Sequence, residues 1–110
     1  MEEIKKTLTY TALLDTLSET IVDNGSDGVL LGYTLVLPNF TTAVSAILTI
    51  KDRDGYTVYT GDAKNENVTS TVINMSGLCP FGRSYVATVT LNAAAGGTHV
   101  AVLKLYVAPR

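Results

Sequence analysis

Along most of its length the chain alternates apolar and polar side chains with a period of two, the repeat of a half-buried β-strand. Leu8, Tyr10 and Ala12 alternate with Thr7, Thr9 and Thr11, which predicts a first strand over about residues 4–14, extended or restarted over 16–22. Asp23 to Gly28 packs six turn formers together and marks the clearest loop. A strand over 29–37 then stops at Pro38, because proline has no N–H to give a ladder. Over 43–52, Val44, Ala46, Leu48 and Ile50 share one face, while Ser45, Ile47, Thr49 and Lys51 share a more polar one. Asp54-Gly55 separates that strand from Tyr56–Thr60, and a glycine that tolerates positive φ predicts a tight hairpin there. Residues 61–67 read as loop, 68–74 as strand and 76–82 as an irregular crossing.

The last quarter, Arg83 to Val107, reads as two alternating strands joined through Ala93-Ala94-Ala95-Gly96-Gly97, a closing hairpin. Its inward set is Tyr85, Val89, Leu91, Leu103, Leu105 and Val107. Each contributes roughly 2 kcal/mol if fully buried, against about 1–2 kcal/mol per residue to order the strands. The pair therefore needs a second sheet. No stretch keeps apolar residues at helical spacing over three turns, so helix is expected to be negligible. The pattern predicts one all-β domain over 1–110, an antiparallel β-sandwich of seven or eight strands, Ig-like or jelly-roll-like, with a small barrel as the other closure. Charged residues 1–6 are expected either to fray or to form an N-terminal arm.

Composition sharpens this picture. Sixteen threonines, twelve valines and six tyrosines suit a pleated surface, and 110 residues suffice for one core. A net charge of −2 without a basic cluster argues against nucleic acid as partner, since backbone binding needs several cations together. A lone cysteine, Cys79, leaves stability to packing. Met1–Lys6 alternates charges and runs into Thr7, so it lacks the apolar core of a secretory signal. No apolar run approaches the roughly 20 residues of a membrane-spanning helix, and no membrane association is expected.

Candidate chemistry is sparse. His99 is the one histidine and the obvious general base, but nothing resembling a nucleophile elbow surrounds any serine. One His and one Cys fall short of a transition-metal site. The pairs Asp23/Asp27 and Asp52/Asp54 lack EF-hand spacing and suit turns better than calcium. Asn39, Asn67 and Asn74 head glycosylation triplets that a threonine-rich chain produces by chance. No catalytic residue, cofactor or metal is therefore expected. The outward face of the closing hairpin is the more informative feature. Val86, Thr88 and Thr90 on one strand and Val100, Val102, Lys104 and Tyr106 on the other are too apolar for plain solvent. Either another layer of the domain or a partner covers them. The candidate interface is Val86, Val100, Val102 and Tyr106, with Ala94 and Gly96 at the tip.

Two segments resemble a known family. Ala46–Gly61 (AILTIKDRDGYTVYTG) and then Val86–Val107 are similar to small all-β virion proteins of tailed bacteriophages. In these an ILTIxDxDGxxVYTG hairpin precedes a polar loop, a strand and a closing VTVTLxxAxGG…VxVxLYV segment. The resemblance covers about residues 43–107. It implies a structural, non-enzymatic role on a phage particle: a head decoration or cement protein on the capsid lattice, or a small head–tail or tail component. It further implies the major capsid protein or tail proteins as partners, a homo-oligomer, and a place in the virion after assembly in the host cytoplasm. Residues alone leave a second class open, a carbohydrate-binding or adhesion sandwich with a platform drawn from Tyr10, Tyr33, Tyr56, Tyr59, Tyr85 and Tyr106.

Overall fold

In a computed structural model, the described residues form ten β-strands in two five-stranded antiparallel sheets, and none of these residues is helical. The structure describes residues 2–13, 15–21, 28–73, 79–82 and 84–109. The strands are β1 (Glu2–Tyr10), β2 (Thr16–Ile21), β3 (Gly28–Val36), β4 (Ser45–Lys51), β5 (Thr57–Thr60), β6 (Lys64–Asn65), β7 (Thr69–Ile73), β8 (Cys79–Phe81), β9 (Tyr85–Leu91) and β10 (His99–Pro109). Sheet A runs β1-β10-β3-β7, with β8 on the same edge of β3 as a second short partner; sheet B runs β2-β9-β4-β5, with β6 likewise on β4.

These pairings nest. β1 pairs with β10, β2 with β9, β3 with β7 and β8, and β4 with β5 and β6. Successive pairs fall in alternate sheets, which is the connectivity of a jelly roll. The sandwich expectation is thereby narrowed from its Ig-like and barrel alternatives.

One correction matters for function. The two strands of the last quarter do not form a hairpin. β9 lies between β2 and β4 in sheet B, and β10 lies between β1 and β3 in sheet A. Residues 92–98 carry the chain across the end of the sandwich. The Ala-Gly tip does not lie open: Ala95 is fully buried, and the Gly96 N–H donates to the Ala12 carbonyl at 3.1 Å. A Cβ on Gly96 would come within 2.8 Å of the Thr42 hydroxyl, and its φ of +76° suits glycine.

Alternation placed the core correctly. Tyr85, Val89, Leu91, Leu103, Leu105 and Val107 are all buried, joined by Leu8 and Tyr10 from β1, Tyr33 and Leu35 from β3, and Ala46, Leu48 and Ile50 from β4. The Tyr10 hydroxyl donates to the Val89 carbonyl at 2.6 Å, tying β1 of one sheet to β9 of the other. The Asp54-Gly55 hairpin forms as expected between β4 and β5, with Gly55 at φ +87°. Residues 2–6, expected as an arm or a frayed end, belong to β1 and pair with residues 103–107 of β10. The Asp23–Asp27 loop and Asn74 lie outside the described residues.

Candidate interaction surface

Sheet A turns one face to the core and the other outward. The outward face is ordered in cross-strand rows: Thr7, Val102, Val36 and Thr69; Lys5, Lys104, Thr34 and Thr71; Glu3, Tyr106, Gly32 and Ile73. Val100 extends it beside Thr9. Val102 and Val36 are directly opposite, so their side chains form one apolar patch. Val100 is 48% exposed and Ile73 53% exposed, and Val36, Val102 and Tyr106 are half-buried.

Tyr106 sits opposite Gly32, which has no side chain to obstruct a ring. A Cβ at position 32 would collide with the Val72 carbonyl oxygen, so the close approach of β3 and β7 requires glycine there. The Tyr106 hydroxyl reaches Thr34 Oγ1 at 2.7 Å, and Thr34 Oγ1 is also 3.0 Å from Thr71 Oγ1. This chain of hydroxyls spans β10, β3 and β7. Thr34 is buried although it is on the outer side of the sheet, because the Tyr106 ring lies along the face instead of projecting from it. The border toward β1 is charged: Lys104 Nζ is 3.7 Å from Glu3 Oε1.

The six interface candidates are therefore dispersed. Val100, Val102 and Tyr106 share the outer face of sheet A. Val86 belongs to the outer face of sheet B, beside Lys51. Ala94 and Gly96 belong to the connection at the end of the sandwich. The separation follows from β9 and β10 lying in different sheets. Sequence reasoning missed Val36, Thr34, Thr71 and Ile73. A register shift between Tyr106 and Val107 against β3 breaks the alternation around Leu31, which hides their side from a period-two reading. In β7, inward Ser70 blurs the same signal.

The chemical candidates are occupied with structure. His99 Nε2 accepts the Thr41 backbone N–H at 3.1 Å and is 2.9 Å from the Thr41 hydroxyl, while its ring stands edge-on to Phe40. No carboxylate orients the other ring nitrogen among the described residues, so these contacts hold the Phe40–Thr42 loop onto β10. Asp52 Oδ1 accepts the N–H groups of Asp54 and Tyr56 and closes the β4–β5 turn. Cys79 is buried, and burial pushes its thiol above the usual range, away from the reactive thiolate. No group of three or more His, Cys, Asp or Glu side chains that could hold a metal exists among the described residues. At an open recess lined by Ala43, Ser45, Asn65, Glu66 and Asn92, Glu66 accepts the Phe40 N–H and Asn92 accepts the Ser45 N–H.

The tyrosine platform is not assembled. Tyr10, Tyr33 and Tyr85 are buried, Tyr59 packs edge-on to Tyr33 at the core margin, and Tyr56, 72% exposed, stands at the β4–β5 turn. Alternation directs the buried tyrosines inward, and their hydroxyls do not reach a common surface.

No family model and no curated protein matches the chain. Among solved structures, the core of Drosophila NLP, described for pentamer formation and histone binding, is similar over 99% of this chain and 100% of its own, with 12% identity and a TM-score of 0.41. The structure of infectious bursal disease virus Gx strain is similar over 93% of this chain, with 16% identity and a TM-score of 0.39. The VP2 subviral particle of infectious bursal disease virus is similar over 92%, with 20% identity and a TM-score of 0.29. This chain spans 33% and 32% of those two viral chains. Likeness at this level concerns the β architecture and assigns no function. No helix among the described residues is long and apolar enough to cross a membrane.

Proposed function

We propose that the protein is a non-enzymatic structural component of a bacteriophage virion, a decoration protein that attaches to the head lattice through the outer face of sheet A. The observation that carries this reading is the apolar strip of Val36, Val100 and Val102, continued by Tyr106 and Ile73, on a face where no layer of the described structure covers it. A fold that stands on packing without a disulfide, and in which His99, Asp52, Glu66 and Asn92 are engaged in turns and loop ties, suits a static attachment role. The resemblance of Ala46–Gly61 and Val86–Val107 to small all-β virion proteins supports the same assignment. Attachment at many symmetric lattice points makes weak individual contacts sufficient, because their effects multiply.

Co-sedimentation with purified phage heads tests it. The protein is expected in the particle fraction; Val102→Asp removes it from that fraction, and Thr90→Asp on the outer face of sheet B leaves it there. A protein with no affinity for particles, or one whose attachment ignores Val102→Asp in a folded variant, overturns the proposal.

A further inference from the structure

One edge of sheet A is β1, whose strand partner among the described residues is β10 alone. Its other side presents backbone N–H and C=O groups along up to nine residues, a template for another strand. Edges are commonly blunted by lysine, and Lys5 and Lys6 answer that description. The order of charges says more. Glu2-Glu3-Ile4-Lys5-Lys6 reverses sign about Ile4.

We infer that β1 is a self-complementary edge and that its partner is β1 of a second copy of this chain, paired antiparallel about a two-fold axis at Ile4. In that register Glu3 lies opposite Lys5 of the second copy, Glu2 opposite Lys6, and Ile4 opposite Ile4. Residues directly opposite in an antiparallel pair are close enough for opposite charges to attract and for like charges to repel. A slip of two residues one way sets Glu3 against Glu3, and a slip the other way sets Lys5 against Lys5. A slip of one residue turns the second copy's faces over. The charge order thus selects one register.

The single copy leaves a demand that this pairing meets. Lys5 is directly opposite Lys104 in the β1–β10 ladder, two like charges side by side, and Glu3 bridges to Lys104. Among the described residues Lys5 has no ion pair; Glu3 of the second copy supplies one. The two-fold is isologous, so every contact occurs twice. It also sets the outer faces of both A sheets on the same side, doubling the strip of Val36, Val100 and Val102. The inference does not depend on the virion role, since it concerns the isolated protein.

Sedimentation equilibrium over a range of concentrations tests it, with circular dichroism confirming β structure in each variant. The wild-type chain is expected to reach twice the monomer mass. Glu3→Lys alone and Lys5→Glu alone weaken association about tenfold or more, because each turns two attractions into two repulsions. Mixing the two variants in equal amounts restores a dimer, since each supplies the charge the other lacks. Glu3→Gln and Lys5→Gln, which remove charge without reversing it, weaken association by less. A monomeric wild type at all concentrations, variants that dimerise like the wild type, or a mixture that stays monomeric overturns the inference.

Discussion

The outer faces of the two sheets are built from similar residues and differ in how those residues are neighbours. On sheet B, Val86 is beside Lys51, Ile47 is beside Thr90, and Thr88 lies in a row with Thr49 and Thr60. Its apolar side chains are isolated among threonines and lysine. On sheet A, Val102 faces Val36, and Tyr106 lies along the surface bound to Thr34. Isolated apolar side chains on a surface are ordinary, whereas contiguous ones mark contact sites. The difference teaches that cross-strand pairing, not composition, makes the apolar side chains of one face of this sandwich contiguous.

The sharpest way to break the comparison is to test whether the sheet A face is truly outside. Leu103→Ala, on the core side of β10, should cost about 2–5 kcal/mol of stability, read by urea denaturation. Val102→Ala, one residue away and half-buried, should cost well under half as much. Equal losses would show that both faces of sheet A are core and that the strip is unavailable to a partner.

Next in size is the link between the sheets. Tyr10→Phe leaves the Val89 carbonyl without its buried donor and should cost about 1–3 kcal/mol. The Tyr33 hydroxyl, by contrast, is buried without a well-formed hydrogen bond, so Tyr33→Phe should be close to neutral. Burial also raises the ionisation of both phenols well above their usual value of 10.0. The folded chain keeps both neutral where the unfolded chain ionises them. The stability they contribute is therefore complete below about pH 10 and declines as pH rises above it. Tyr10→Phe and Tyr33→Phe should each flatten that alkaline decline, measured as urea midpoint against pH; an unchanged slope in both would contradict the burial argument.

The smallest effect concerns the faces themselves. Tyr106→Phe should cost about 0.5–1.5 kcal/mol by releasing the Thr34 hydroxyl, whereas Thr90→Val on sheet B should stay within about 0.5 kcal/mol of wild type. Reversal of that order would remove the distinction between an organised face and a plain one.

How much of this was legible beforehand varies by element. The β4–β5 hairpin was readable because Asp54-Gly55 is a local signal and both strands flank it directly. The inward set of β9 and β10 was readable from alternation. The jelly-roll order was not, because residues 92–98 serve equally as a hairpin loop or as a crossing between sheets. The candidate site was half legible: Val100, Val102 and Tyr106 belong to it, while Val86 does not share their face. Val36, Thr34 and Ile73 join them only because β3 and β7 lie alongside β10.

The sequence by itself determined which side chains of β1, β4, β9 and β10 point inward, the place of the tight turn and the reliance on packing over disulfides. It also set the charge order of β1. Each of these depends on neighbours a few residues apart, which pleat and turn geometry govern directly. Only the tertiary structure decided which strands are adjacent, and with that which outward residues form one surface. Strand neighbours such as β1 and β10 lie at opposite ends of the chain, and the energy that brings them together comes from burying a shared core between two sheets. No local period encodes that.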